Sequence, residues 1–172
     1  MMTVAATAMA AAAAVPARRH RVIWMMKSRS ELTIRALTPE DSSALVALYN
    51  ELTSGPKTAR TDRIAAAMAH PGTTIFGAEE NAGIISMATL HILPNVTFDA
   101  RPYALIENVA TTQDHRMRGF GRQVMQAAVD EAWRQDAYKI MLLTGRKRGA
   151  RGFYESLGFS CEDKFGMVMR RS

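Results

Sequence analysis

The chain reads as an α/β domain of the α+β kind, with elements in the order β-α-α-β-β-β-α-β-α-β. Three observations predict it. Short apolar or alternating segments bounded by Pro, Gly and Asn have the length and period of strands. Between them lie stretches with apolar residues at helical spacing, opened and closed by cap and breaker residues. A glycine-bearing basic turn, Arg116-Met117-Arg118-Gly119-Phe120-Gly121-Arg122, joins the clearest strand to the clearest helix.

Leu32 to Leu37 alternates as a first strand. Thr38 then offers an N-cap, Pro39 a first helical position, and Glu40 and Asp41 early acids, so a helix through Leu45, Leu48, Tyr49 and Leu52 is expected to run to near Gly55. A shorter helix fits 62–69 and stops at His70-Pro71-Gly72. Strands follow at 73–79 and 84–93, joined by Glu80-Asn81-Ala82-Gly83, a hairpin-length connection. A loop through Pro94, Asn95, Asp99 and Pro102 leads to a central strand at 103–110. After the basic turn, Val124, Met125, Ala128, Val129, Ala132 and Trp133 mark a wide apolar helix face. A short buried strand at 139–144, a helix at 150–157 ended by Gly158 and a last strand at 164–169 complete the order.

A chain of 172 residues fits one domain with a core of its own. No apolar run reaches the roughly 18 residues of a membrane-spanning helix, and no Cys/His cluster suggests a metal. The single cysteine, Cys161, fits a reducing, cytoplasmic compartment and reads as packing, not as a nucleophile. Residues 1–30 carry five basic groups and no acid, and read as a disordered leader, or one preceding a true start at Met25 or Met26; the domain is expected at 31–172. Positive charge follows the apolar stretch of that leader, the reverse of an export signal.

The formal net charge is +6, but beyond the leader 17 basic groups face 16 acids, which disfavours nucleic acid as the partner of the domain. Within 116–151, nine basic residues face three acids, so the charge of the body is local and suggests a local anion. A strand, a glycine turn and a helix form a phosphate grip, because the first amides of a helix have no partner inside it. Neither glycine is followed by Lys-Ser/Thr, which excludes a Walker loop, and Val124 stands where a dinucleotide fingerprint needs its third glycine.

Arg116-Met117-Arg118-Gly119-Phe120-Gly121 does match the pattern R-x-x-G-x-G. With Glu107-Asn108-Val109-Ala110-Thr111 upstream and Ala150-Arg151-Gly152-Phe153-Tyr154-Glu155-Ser156-Leu157-Gly158-Phe159 downstream, residues 32–170 resemble the GCN5-related N-acetyltransferases, the GNAT family. The resemblance implies a central mixed, mostly antiparallel sheet flanked by about four helices, and acetyl-CoA as co-substrate without a metal. It implies coenzyme contacts from Val109, Ala110, Thr111, Arg116, Met117, Arg118, Gly119, Phe120, Gly121, Arg122, Lys147 and Phe153. A backbone amide near Val109 would be the oxyanion donor. Lys147 replaces a frequent family asparagine and is expected to act by charge.

The same resemblance makes Tyr154 the general acid that protonates the leaving thiolate. Glu107 is the candidate general base, acting through water: a carboxylate in an apolar strand is costly unless paired or used. The competing reading pairs Glu107 with an arginine. Alternation puts Leu105, Glu107 and Val109 on one face and Ile106, Asn108 and Ala110 on the other, where Asn108 could orient substrate. His91 and His115 receive no role. The expected reaction is direct acetyl transfer to the primary amine of a small molecule, an amino sugar foremost. The alternatives are a protein or peptide N-acetyltransferase and a non-catalytic acyl-CoA-binding module. Relatives that dimerise make a homodimer compatible with the fold, but no strand in the sequence is diagnostic of one.

Overall fold

The computed structural model describes residues 32–52, 57 and 60–171. The leader and the expected helix end near Gly55 lie outside them. A five-stranded sheet is flanked by helices on both faces: β1 Leu32–Ala36, α1 Ser42–Leu52, α2 Thr61–Met68, β2 Thr73–Glu80, β3 Gly83–Leu93, β4 Tyr103–Thr111, α3 Phe120–Arg134, β5 Ile140–Met141 and α4 Arg151–Glu155. Strand order follows sequence order, β1 to β5. All neighbours are antiparallel except β4 and β5.

Local chemistry explains the first half. Pro39–Asp41 forms a single 3₁₀ turn before α1, and the Asp41 carboxylate accepts the Thr38 amide at 2.8 Å, closing the helix start. Arg35 on β1 grips that carboxylate with two nitrogens at 2.8 and 2.9 Å and reaches Glu79 of β2 at 2.7 Å. The Asp41 carboxyl is held at about 2 by this guanidinium, against an ordinary 3.8. Three elements are thereby tied at one edge of the sheet.

Each face of the sheet has its own core. Leu45 and Leu48 of α1 pack with Leu37, Ile75, Met87 and Ala110 on one face. On the other, Phe120, Val124, Met125, Ala128 and Ala132 of α3 pack with Ala78, Ala88, Leu90, Ala104 and Ile106. Trp133 falls outside the stripe and is half exposed.

β4 departs from strict alternation. Ala110 pairs with Met87 and Glu107 with Thr89, so Asn108 and Val109 together face Ala88 in a β-bulge, with Asn108 at φ 54. The extra residue reverses the parity of the strand. Val109 therefore packs on the α3 face with Ile106, and Ala110 joins the α1 face, contrary to the alternation expected from sequence.

The C-terminal part is less regular than its sequence suggests. β5 is two residues long instead of six, and 164–169 forms no strand. Phe165, Met167 and Met169 are more than nine-tenths exposed, and Gly166 lies against the tip of the half-exposed Leu143 side chain. A period-2 apolar pattern specifies a strand only with a ladder to join, and none holds this segment. Cys161 is exposed, not packed.

Candidate functional site

Only Ala104 and Leu105 of β4 pair with β5, at Ile140 and Met141. From Ile106 to Thr111, β4 continues with β3 on one side and, among the described residues, no strand on the other. This gap opens beside the basic turn. A short parallel pairing followed by divergence exposes strand backbone in an otherwise buried sheet, an arrangement suited to binding an extended ligand.

The turn itself is built from unusual backbone. Met117 has φ 60 and Gly119 φ 87, and Gly119 caps α3. Its carbonyl takes the first helical hydrogen bond, from Gln123 at 3.2 Å. Among the described residues, the amides of Met117, Arg118, Gly119, Phe120, Gly121 and Arg122 find no protein acceptor. Six consecutive free amides at a helix start form a concentrated anion cradle. A Cβ built on Gly119 meets nothing within 4 Å, so the mouth is open, whereas one on Gly121 would approach Thr111 Oγ1 at 3.3 Å and Phe153 at 3.7 Å. Gly121 thus lets the helix start lie close to β4 and α4.

The three arginines of the turn have separate structural partners. Arg116 Nε donates to the Thr111 carbonyl at 3.1 Å and closes the loop. Arg118 reaches Glu80 at 3.3 Å and lies over the Phe120 ring, 4.9 Å from its centre. Arg122 donates to the Ser156 carbonyl at 3.3 Å and hydroxyl at 2.6 Å, bracing α3 against the end of α4. The family resemblance implied only coenzyme contacts for all three. Arg116 and Arg122 bind neutral acceptors, so their charge remains beside the cradle.

Tyr154 is placed by α4, whose end is sealed by Gly158 at φ 91 and by the Phe159 amide donating to the Tyr154 carbonyl at 3.2 Å. Its ring meets Phe153 and Phe159 edge-on, with centroids 5.1 and 6.3 Å away. Burial pushes the phenol above its ordinary range; the Arg148 guanidinium pulls it down and the Glu107 carboxylate pushes it up. Glu107 and Tyr154, from separate elements, therefore lie within electrostatic reach. No arginine or lysine among the described residues forms an ion pair with Glu107.

Asn108 is exposed on the bulge, and Lys147 is exposed on a 3₁₀ turn, Arg146–Arg148. Sequence reading singled out Lys147 and passed over its neighbour. Arg148 acts on Tyr154 and donates to the Leu52 carbonyl at the end of α1, 3.0 Å away. It also overlooked Ser86, whose buried hydroxyl bonds the Ala110 carbonyl at 2.9 Å and Thr111 Oγ1 at 2.8 Å and so holds the β4 end. A run of three basic residues gives no signal of which one turns inward. His115 bridges Thr112 and Glu80, at 2.9 and 3.3 Å. A hollow lined by Pro39, Ser43, Asp62 and Ala65 includes none of these residues.

The residues present fit a pyrophosphate-bearing coenzyme: free amides, an open glycine and local positive charge. Comparison with known proteins agrees. Residues 36–159 match the Acetyltransferase (GNAT) family. A solved structure from Agrobacterium tumefaciens str. C58 that carries an acetyltransferase name is 45% identical, with a TM-score of 0.75, covering 81% of this chain and 99% of that one. Glucosamine-6-phosphate N-acetyltransferase from Arabidopsis thaliana has a TM-score of 0.70 at 19% identity, covering 83% and 98%. Ribosomal-protein-alanine N-acetyltransferase from Brucella melitensis biovar Abortus 2308 has a TM-score of 0.71 at 17% identity, covering 83% and 100%. The last two share the fold and differ in the acceptor they are named for. With its sheet, its helix-start cradle and the family match in agreement, the chain belongs to the GNAT acetyltransferases, enzymes that use acetyl-CoA as co-substrate.

Proposed function

We propose that the enzyme N-acetylates the primary amine of a small molecule, an amino sugar foremost, in the cytoplasm. The observation that carries the reading is the electrostatic reach between Glu107 and Tyr154 beside a gap in the sheet and a row of free amides. Acetyl-CoA supplies an acyl thioester. Met117, Arg118, Gly119, Phe120, Gly121 and Arg122 hold its pyrophosphate through backbone amides, with Arg116 and Lys147 adding charge. Val109, Ala110, Thr111 and Phe153 line the way to the reacting end.

Glu107, through a water, takes the proton that makes the amine a nucleophile. The Val109 amide, at the bulge, donates to the carbonyl oxygen as charge gathers there; one such donor is worth about 3 kcal/mol in other acyl-transfer enzymes. The Tyr154 hydroxyl gives its proton to the departing sulfur. Burial keeps that hydroxyl protonated at neutral pH, the state an acid requires. Asn108, exposed next to Glu107, orients the acceptor, and the loop 93–102 and α1 bound its pocket.

Thiol release from acetyl-CoA, measured against a panel of amino sugars, peptide N-termini, polyamines and aminoglycosides, tests the reading. Turnover is expected with a phosphorylated or free amino sugar. Preference for a peptide N-terminus would overturn the acceptor class while leaving the acetyl-transfer chemistry intact.

A further inference from the structure

Met117 has φ 60, a conformation that a residue with a side chain seldom holds unless its surroundings fix it. Its own side chain is fully exposed, so packing of Met117 does not fix it. Backbone bonds of the preceding turn end with the Arg116 amide, which donates to the Gln113 carbonyl at 3.3 Å, and the amides from Met117 onward are the free ones of the cradle. Side chains on either side of Met117 take over. His115 Nε2 lies 3.3 Å from one carboxylate oxygen of Glu80, and Arg118 Nη2 donates to the other at 3.3 Å.

Glu80 is itself firmly placed. It ends β2, its backbone pairs with Leu32 of β1 and Gly83 of β3, and it precedes a two-residue turn in which Asn81 and Ala82 have φ 53 and 61. Its side chain is only 9% exposed. A carboxylate this buried is costly without polar or charged partners, and these two come from the loop after β4, two strands away in the sheet. His115 is held in turn by Thr112 Oγ1 at 2.9 Å, and Arg118 lies over the ring of Phe120, the first residue of α3. One carboxylate thus ties residues before and after Met117 to the β2–β3 hairpin.

We propose that Glu80 is a positioning residue for coenzyme binding: by clamping His115 and Arg118 it keeps the turn in the backbone conformation that aims the free amides at a pyrophosphate. The clamp rests on the turn being the pyrophosphate cradle. Glu80 acts through the turn and not on the ligand. By charge alone, a carboxylate beside an anion site weakens anion binding. By preorganisation, a clamp strengthens it. The two effects have opposite signs, so a neutral residue of the same shape decides which one governs.

Calorimetric titration of the full chain with acetyl-CoA alone, in the parent and in Glu80→Gln, reads that sign. Affinity is expected to fall about tenfold, the loss when the competent turn is populated about a tenth of the time. With an amine from the panel that turns over, KM for acetyl-CoA is expected to rise by a similar factor while kcat stays within about twofold, a split that general loss of structure would not produce. His115→Gln removes one arm of the clamp and is expected to weaken binding by a smaller factor, with the double variant no weaker than Glu80→Gln alone. Equal or tighter binding in a Glu80→Gln protein with the parental circular dichroism spectrum would sink the clamp, because only the charge effect would remain. If Glu80→Gln does not fold, His115→Gln decides alone, and unchanged affinity there has the same meaning. Gly119→Val separates the two readings. If it binds acetyl-CoA as the parent does, the cradle falls and the clamp with it; if it loses binding while Glu80→Gln keeps it, only the clamp falls.

Discussion

The two ends of the sheet are built on opposite plans. At the β1–β2 edge, backbone ladder, helix cap and ion pairs converge: Arg35 joins β1, the start of α1 and β2 through three short contacts. At the β4–β5 end, pairing stops after two residues, β4 carries a bulge, and Asn108, Met117 and Gly119 all sit at positive φ. The first end spends its polar groups on itself. The second leaves six amides and a strand edge without protein partners among the described residues, and backbone unused by the fold is free for a ligand.

The largest expected effect tests the irregular end. Tyr154→Phe is expected to lower turnover about 10²–10⁴-fold, the usual contribution of a general acid, with acetyl-CoA affinity within about twofold. Initial-rate kinetics and calorimetric titration read the two quantities separately. Equal loss in both would make Tyr154 a packing residue.

Gly119→Val comes next. A β-branched residue at φ 87 costs about 1–3 kcal/mol of backbone strain, although a side chain there would meet no neighbour. Acetyl-CoA affinity is expected to fall at least tenfold, while circular dichroism shows a folded protein; unchanged binding would show that the turn does not hold the pyrophosphate.

The regular end is probed by Asp41→Asn. The folded carboxyl titrates at about 2 against an ordinary 3.8, so its contribution is complete above 3.8 and disappears as the pH falls through about 2. The full shift would correspond to a little over 2 kcal/mol, and partial exposure of Arg35 reduces this to about 1–2 kcal/mol. Urea unfolding at pH 7 reads the loss. Only below pH 2 are the variant and the parent expected to converge.

The smallest effect is a gain. A Cβ on Gly152 of α4 meets nothing within 4 Å, so Gly152→Ala is expected to stabilise the helix that carries Tyr154 by about 0.5–1 kcal/mol. A thermal melt that falls would show that this glycine faces a ligand or a tight turn.

Legibility divides along the same line. Strands at 73–80, 83–93 and 103–111 stand within one residue of their sequence limits, because Pro-Gly, Asn-Ala-Gly and Pro breakers act locally. The glycine turn was readable for the same reason: free amides at a helix start follow from backbone alone. The bulge was not. Asparagine tolerates positive φ, yet nothing in Glu107-Asn108-Val109 announces an extra residue, so the expected faces of Val109 and Ala110 were exchanged. The strand at 164–169 and the full length of β5 failed because a strand needs a neighbour, and sequence period cannot supply one. Arg122, Arg148 and Ser86 found their partners at separations of 34, 96 and 24 residues, distances over which local pattern carries no information.

Arg148 has one further consequence. Its guanidinium holds the last carbonyl of α1 at 3.0 Å while its charge lowers the pKa of Tyr154. The end of α1 and the phenol proposed above as the acid therefore share a single cation. On the proposed roles, an acceptor bearing a phosphate or carboxylate near that helix would compete for the cation, loosen the α1 terminus and make Tyr154 a weaker acid. Substrate charge and acid strength would then be linked variables, and a neutral and an anionic acceptor are expected to differ in alkaline pH limit as well as in affinity.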